Sequence, residues 1–176
     1  MRFLTLSAKQ IVTPAVYNQI RENHVVISIS GQDDKETMLP NNPTRMGELH
    51  LVFDDVEDIQ EQYVYFDRGC AKEILEFVEK HCTKISLIVV QCQAGLSRSV
   101  GTAAALAKII NGRDDDVFTK GIPNMFVYTT ILDVFFSDPN WAANYPKIST
   151  VRNKMLGQFL SPALVRLYSA KNRKRI

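Results

Sequence analysis

Five residues separate Cys92 from Arg98, and Ser99 follows at once. A thiol and a guanidinium at this spacing have a definite use if the segment between them is a turn joining a strand to a helix. Such a turn can aim its backbone N–H groups inward as an anion cradle. The helix dipole adds about half a positive charge at the same place. Arg98, in the first helical turn, can lay a planar fork on two phosphate oxygens. Helix N-termini and neighbouring cations favour thiolate over thiol, so Cys92 becomes a nucleophile facing a bound phosphate. Gln93, Ala94, Gly95, Leu96 and Ser97 would line the cradle with Arg98, and Gly95 supplies the backbone freedom that the turn needs. The competing reading is a buried structural cysteine with an arginine downstream by chance. The apolar run before Cys92 and the glycine inside the spacing both weigh against it.

The segment QCQAGLSRS resembles the H-C-x5-R-[S/T] signature of the protein tyrosine phosphatases, and most closely the C-x-A-G-x-S-R-S form of the dual-specificity phosphatases. Gln91 stands where that family has histidine. HLVFDDVED at 50–58 is similar to the loop that carries the family's general acid, and GIPNMFVYTTILDVF at 121–135 resembles its P-N-x-x-F-x-x-x-L segment. The resemblance spans about residues 25–135 and implies two-step phosphomonoester hydrolysis through a phosphocysteine, with no metal or other cofactor. It further implies that Asn124 braces the phosphate loop and that the Ser99 hydroxyl eases departure of the thiolate.

Such a reaction needs an acid, because an alkoxide or phenoxide leaves poorly unless it is protonated on the way out. Asp54, Asp55, Glu57 and Asp58 lie close together. At a strand end Asp54 and Asp55 point to opposite sides, so only one faces the site. Asp55 is preferred, with Asp54 and Asp58 as alternatives. Ser97 reads as a loop residue without a catalytic task. Cys82 is a weak candidate redox partner for Cys92, and Cys70 reads as a buried apolar residue. The implied partner is a phosphorylated protein, phosphotyrosine first. The cradle has no lysine, which argues against inositol phosphates. An RNA 5′-phosphatase of the same fold, a non-catalytic phosphate-binding module and a sulfur-transferring rhodanese-like enzyme are the other readings.

These residues must be positioned by strands and helices in alternation. Strands are expected at 2–6, 25–29, 49–53 and 86–91, the last being the most strand-like run in the chain. Helices are expected at 13–22, with Thr13 as cap and Pro14 at the first position, at 64–81, and at 98–110, ending at Asn111-Gly112. Residues 31–47 are polar and broken by Pro and Gly, and read as a loop. Helices at 124–136 and about 146–170 follow, with Trp141 as an apolar plug between them. This order predicts a single α/β domain over 1–176, with a mostly parallel sheet of four or five strands, helices on both faces and a helical extension at 137–176.

Composition agrees with this and narrows it little. The chain is 45% hydrophobic with a net charge of +2, which demands neither nucleic acid nor membrane. Four basic residues in the closing KNRKRI keep a phosphate-rich partner open, nucleic acid included. Three cysteines are too few and too odd in number for a disulfide framework, and no C-x-x-C or zinc-like His spacing occurs. A reduced, cytoplasmic setting is expected, with no transmembrane helix and no signal-peptide stretch in MRFLTLSAKQ.

Overall fold

Six consecutive buried residues, Leu87–Cys92, form the strand that ends at the candidate nucleophile. A run buried on both faces belongs in the middle of a covered parallel sheet, and that is its place in the computed structural model, which describes residues 1–57 and 61–138. The strands are β1 (Arg2–Ser7), β2 (His24–Ser30), β3 (Arg45–Val52) and β4 (Leu87–Cys92), in the order β1-β4-β2-β3 with every pair parallel. The helices are α1 (Ala8–Ile11), α2 (Pro14–Tyr17), α3 (Arg68–His81), α4 (Arg98–Asn111), α5 (Asp115–Phe118) and α6 (Met125–Ser137).

Alternation along β4 and β2 divides the core between the two faces of the sheet. Ile88, Val90 and Cys92, with Val25, Ile27 and Ile29, pack against α3, α4 and α6. Leu87, Val89 and Val26 pack against Leu6, Ile11, Tyr17 and Ile20 on the α1–α2 side. Each fully buried Ile or Leu contributes about 1.5–3 kcal/mol relative to an exposed one. The expected α/β architecture with helices on both faces is therefore present, with four strands among the described residues, all parallel.

Parallel neighbours need a long crossover. Between β2 and β3 residues 31–44 make it without a helix. Asn42 ties this crossover to the α2 side by donating to the carbonyls of Tyr17 and Ile20, both at 3.3 Å. Arg45 at its end donates to the Pro40 carbonyl at 2.9 Å. Because all four strands run the same way, the segments that follow β2, β3 and β4 leave from one edge of the sheet, the carboxyl edge where ligands bind in such folds.

Four expectations need correction. The helix expected at 13–22 is two single turns, 8–11 and 14–17, because Ser7 and Gln10 form a capping box that starts a helix before Thr13. Strand β3 begins at Arg45, inside the expected loop 31–47. It is an edge strand whose first residues, Arg45, Met46 and Gly47, show no strand-like alternation but whose backbone pairs with β2. The helix expected from residue 64 starts at 68, where the Asp67 carboxylate accepts from Cys70 N at 2.8 Å; such a cap stabilises by about 1 kcal/mol. That bond holds the Asp67 carboxyl below its ordinary range. Cys70 is half-buried rather than buried, and burial pushes its thiol up, as it does that of Cys82. The expected helix at 146–170, the Trp141 plug and all but the first two residues of the 137–176 extension lie outside the described residues, as does Asp58. Among the described residues no helix is long and apolar enough to cross a membrane.

Candidate active site

Strand β4 ends at Cys92 and α4 begins at Arg98, so residues 92–98 are the turn between them. Gly95 adopts φ +75, in the left-handed region that β-carbon-bearing residues avoid. It also presses on the end of β1: an added Cβ would lie 2.5 Å from Ser7 N. The turn thus has glycine where both space and conformation require it. Its Gln93 carbonyl accepts from Ala8 N at 3.3 Å, which ties the cradle to the start of α1.

The Cys92 sulfur is at the floor of the turn, 1% exposed. Gly95 N–H donates to Sγ at 3.3 Å, and Sγ lies 3.2 Å from Ser99 Oγ. The thiol can donate to that hydroxyl; a thiolate would instead accept from it. Ser99 is fully buried in the first turn of α4, so its position is fixed by the helix.

The Arg98 side chain is only 7% exposed. One amino group, Nη1, donates to the Phe53 carbonyl at 2.7 Å, which fixes the plane of the guanidinium. Among the described residues the buried Nε has no hydrogen-bond partner, and Nη2 has only the Asp34 carboxylate at 3.7 Å. Nε and Nη2 form one edge of the fork, so two parallel donors are left open for an oxyanion.

Asp54 and Asp55 part company after β3. The Asp54 carboxylate accepts from Gln32 N at 3.0 Å and from Val64 N at 2.9 Å, so it staples two loops together. Asp55 turns toward the cradle. Its Oδ1 accepts from Ser97 Oγ at 2.8 Å and from Asn124 Nδ2 at 2.9 Å. Asp55 is exposed, whereas Asn124 is buried.

Asn124 joins three parts. Its backbone N–H donates to the Ser97 carbonyl at 3.2 Å, its amide holds Asp55, and its Oδ1 caps α6 by accepting from Val127 N at 3.0 Å. The turn of chain at Asn124 packs so closely on α4 that a Cβ at Gly101 would lie 2.5 Å from the Asn124 carbonyl oxygen. Gln93, Ala94 and Leu96 are exposed on the rim of the turn.

Compared by sequence, the chain matches no protein-family model and no curated protein. Compared by structure, it is similar to several solved folds. The human tyrosine phosphatase-like serine/threonine/tyrosine-interacting protein superposes with a TM-score of 0.55 at 16% identity, covering 74% of this chain and 89% of that one. Human DUSP28 gives 0.55 at 13% identity, with 77% and 88% covered. A mouse putative dual specificity phosphatase, complexed with zinc tungstate, gives 0.52 at 15%, with 74% and 80% covered.

The fold is that of the dual-specificity phosphatases. At the carboxyl edge of this phosphatase fold the structure brings together Cys92, Gly95, Ser97, Arg98, Ser99, Asp55 and Asn124, all expected there from the sequence. It assigns Ser97 a contact that sequence reasoning missed. Ser97 is the N-cap residue of α4, but its hydroxyl makes no cap bond and goes to Asp55 instead. No sequence signal marks this, because the partner lies 42 positions away. Asp34 was also missed: it sits in a polar loop with three other charged residues, Asp33, Lys35 and Glu36, and nothing in that run singles it out. Gln91 is fully buried and donates to Ser28 Oγ on β2, so it faces away from the sulfur, across the sheet.

Proposed function

We propose that this protein is a cysteine-dependent phosphomonoester hydrolase of the protein tyrosine and dual-specificity type, working through a phosphocysteine intermediate. One observation carries the reading. A buried sulfur receiving the Gly95 N–H lies in the same seven-residue turn as a guanidinium that is pinned by Phe53 and keeps its Nε–Nη2 edge open.

In the first step Cys92 Sγ attacks phosphorus and the bond from phosphorus to the ester oxygen breaks. Asp55, protonated, gives its proton to that oxygen, and the leaving group departs as a neutral alcohol or phenol. Arg98 and the loop amides hold the non-bridging oxygens as charge shifts in the transition state. In the second step a water oxygen attacks phosphorus, the S–P bond breaks, and the Asp55 carboxylate takes the water's proton. Inorganic phosphate and the thiolate remain, and Ser99 O–H donates to the departing sulfur. Ser97 and Asn124 position Asp55 through its Oδ1.

Phosphorylated protein, with phosphotyrosine first, is the substrate class this reading favours. Hydrolysis of para-nitrophenyl phosphate, inhibited competitively by vanadate, is the expected result. Tight vanadate binding without turnover would instead make the fold a phosphate-binding module.

A further inference from the structure

The crossover after β2 and the segment after β3 reach the cradle from the same edge of the sheet, and both bring negative charge. Asp34 closes a turn with Gly31: its backbone N–H donates to the Gly31 carbonyl at 3.1 Å, and its Oδ2 accepts from Gly31 N at 2.8 Å. The carboxylate is thereby held in place, 3.7 Å from Arg98 Nη2, with the side chain 28% exposed. The Asp54 carboxylate lies close to the same glycine: a Cβ added at Gly31 would meet Asp54 Oδ1 at 2.9 Å and Asp34 Oδ2 at 3.0 Å. Among the described residues, Arg98 is the one Lys or Arg within 4 Å of Asp34, and no Lys or Arg lies that close to Asp54 or Asp55. Glu36 is taken up by His50, 3.2 Å away, and the cradle sequence contains no lysine.

The second observation is the state of the clamp itself. Arg98 Nη1 is committed to Phe53, and the buried Nε has no partner. An oxyanion must therefore dock on the Nε–Nη2 edge, and Asp34 stands at the Nη2 end of it. The arginine is a single positive charge already shared with a fixed carboxylate. A phosphate monoester carried on a neutral or cationic scaffold can still use it. A ligand with further anionic groups brings them toward Asp34 and Asp54, where like charges repel at short range.

We propose that Asp34 is a specificity-determining residue, selecting phosphomonoesters on a basic polypeptide, with Lys or Arg beside the phosphorylated residue, over ligands that carry additional anionic groups. The inference rests on the phosphatase reading above for what Arg98 holds.

The test uses the Cys92→Ser chain, which binds without turning over, and two fluorescent phosphotyrosine peptides that differ only in flanking Lys against flanking Glu. At low ionic strength the Lys peptide should bind roughly tenfold more tightly. Adding Asp34→Asn, whose side-chain oxygen can still accept from Gly31 N–H, should bring the ratio to within about threefold, mainly by improving the Glu peptide. Asp34→Glu should restore the preference, which loss of a merely structural brace would not do.

A ratio unchanged by Asp34→Asn overturns the inference, as does tighter binding of 5′-triphosphorylated RNA or phosphoinositide vesicles than of the Lys peptide, or no binding of either peptide. Para-nitrophenyl phosphate hydrolysis by the unmodified chain is run in parallel. Turnover with a flat peptide ratio removes this inference and leaves the hydrolase. A steep, Asp34-dependent ratio without turnover removes the hydrolase and leaves the inference.

Discussion

Residues 92–98 take their shape chiefly from their own stretch of chain, in which a buried strand enters, a left-handed glycine turns and a helix leaves. Residues 53–57 take theirs from distant segments. Phe53 bonds to Ser30 and Arg98, Asp54 to Gln32 and Val64, Asp55 to Ser97 and Asn124, and Glu57 to Met125. The contrast teaches that the proposed nucleophile is placed by its own stretch of chain and the proposed acid only through tertiary structure, while the proposed clamp draws on both, its backbone from α4 and its guanidinium plane from Phe53. Substitutions in the first segment should remove chemistry outright. Substitutions in the second should show effects that depend on the leaving group or on which neighbour is lost.

The largest expected effect is at Cys92. Cys92→Ser should fold normally and lose at least about 10⁴-fold in turnover, because a serine hydroxyl at this position is a far weaker nucleophile. Steady-state hydrolysis with vanadate-binding controls measures this, and Cys70→Ser and Cys82→Ser should stay active. Arg98→Lys comes next. Lysine keeps the charge but not the planar fork that lets Nη1 hold Phe53 while Nε and Nη2 present two parallel donors, so kcat should fall roughly 10²–10³-fold together with kcat/KM. A near-normal kcat would show that the local segment needs only a positive charge.

The comparison is sharpest at the two aspartates. Asp55→Asn should lower kcat by roughly 10²–10⁴-fold on an alkyl or phenyl phosphate. The matching loss in kcat/KM, which reports the first step alone, should shrink on a substrate with an acidic leaving group, since that group departs unaided. Asp54→Asn should instead weaken one of two backbone hydrogen bonds, lower stability by about 1–2 kcal/mol, and slow both substrates alike. Reversal of the two patterns would move the acid by one residue. Ser97→Ala should be milder, about fivefold in kcat, because Asn124 still holds Asp55.

The smallest effect lies far from the cradle. His24 is buried, with Nε2 against the Tyr17 hydroxyl at 3.1 Å and Arg45 bonded to that same hydroxyl, and burial pulls its pKa below the usual histidine value. The unfolded chain therefore binds the proton more readily. Stability conferred by the neutral imidazole is full above about pH 6.5 and declines as pH falls below it, down to the folded-state pKa. Thermal unfolding between pH 7.5 and 5.5 should show this slope, and His24→Gln should flatten it.

How much was legible in the sequence follows the same division. The strand, turn and helix around Cys92, the strong helix stop at Gly112 and the parallel α/β plan were all readable, because periodicity, glycine and spacing act within one stretch of chain. Asp55 was preferred over Asp54 but its contacts were not readable, since the two are chemically identical and only the distant hydroxyl of Ser97 and amide of Asn124 distinguish them. The start of β3 was hidden for a related reason: Arg45, Met46 and Gly47 show no strand-like alternation, and only pairing with β2 makes them a strand. Asp34 carried no local signal, because its meaning comes from Arg98, 64 positions away (98 − 34).

The proposed mechanism requires that phosphorus pass through Cys92. Asp55→Asn, which should also slow the water attack, would be mixed with para-nitrophenyl phosphate, whose acidic leaving group departs without the acid's help, quenched within milliseconds, digested and read by mass spectrometry. The account predicts a phosphate on the peptide containing Cys92, appearing before steady-state product release and missing when Cys92 is serine. Turnover with no labelled Cys92 at any quench time, or a label on another residue, would contradict it.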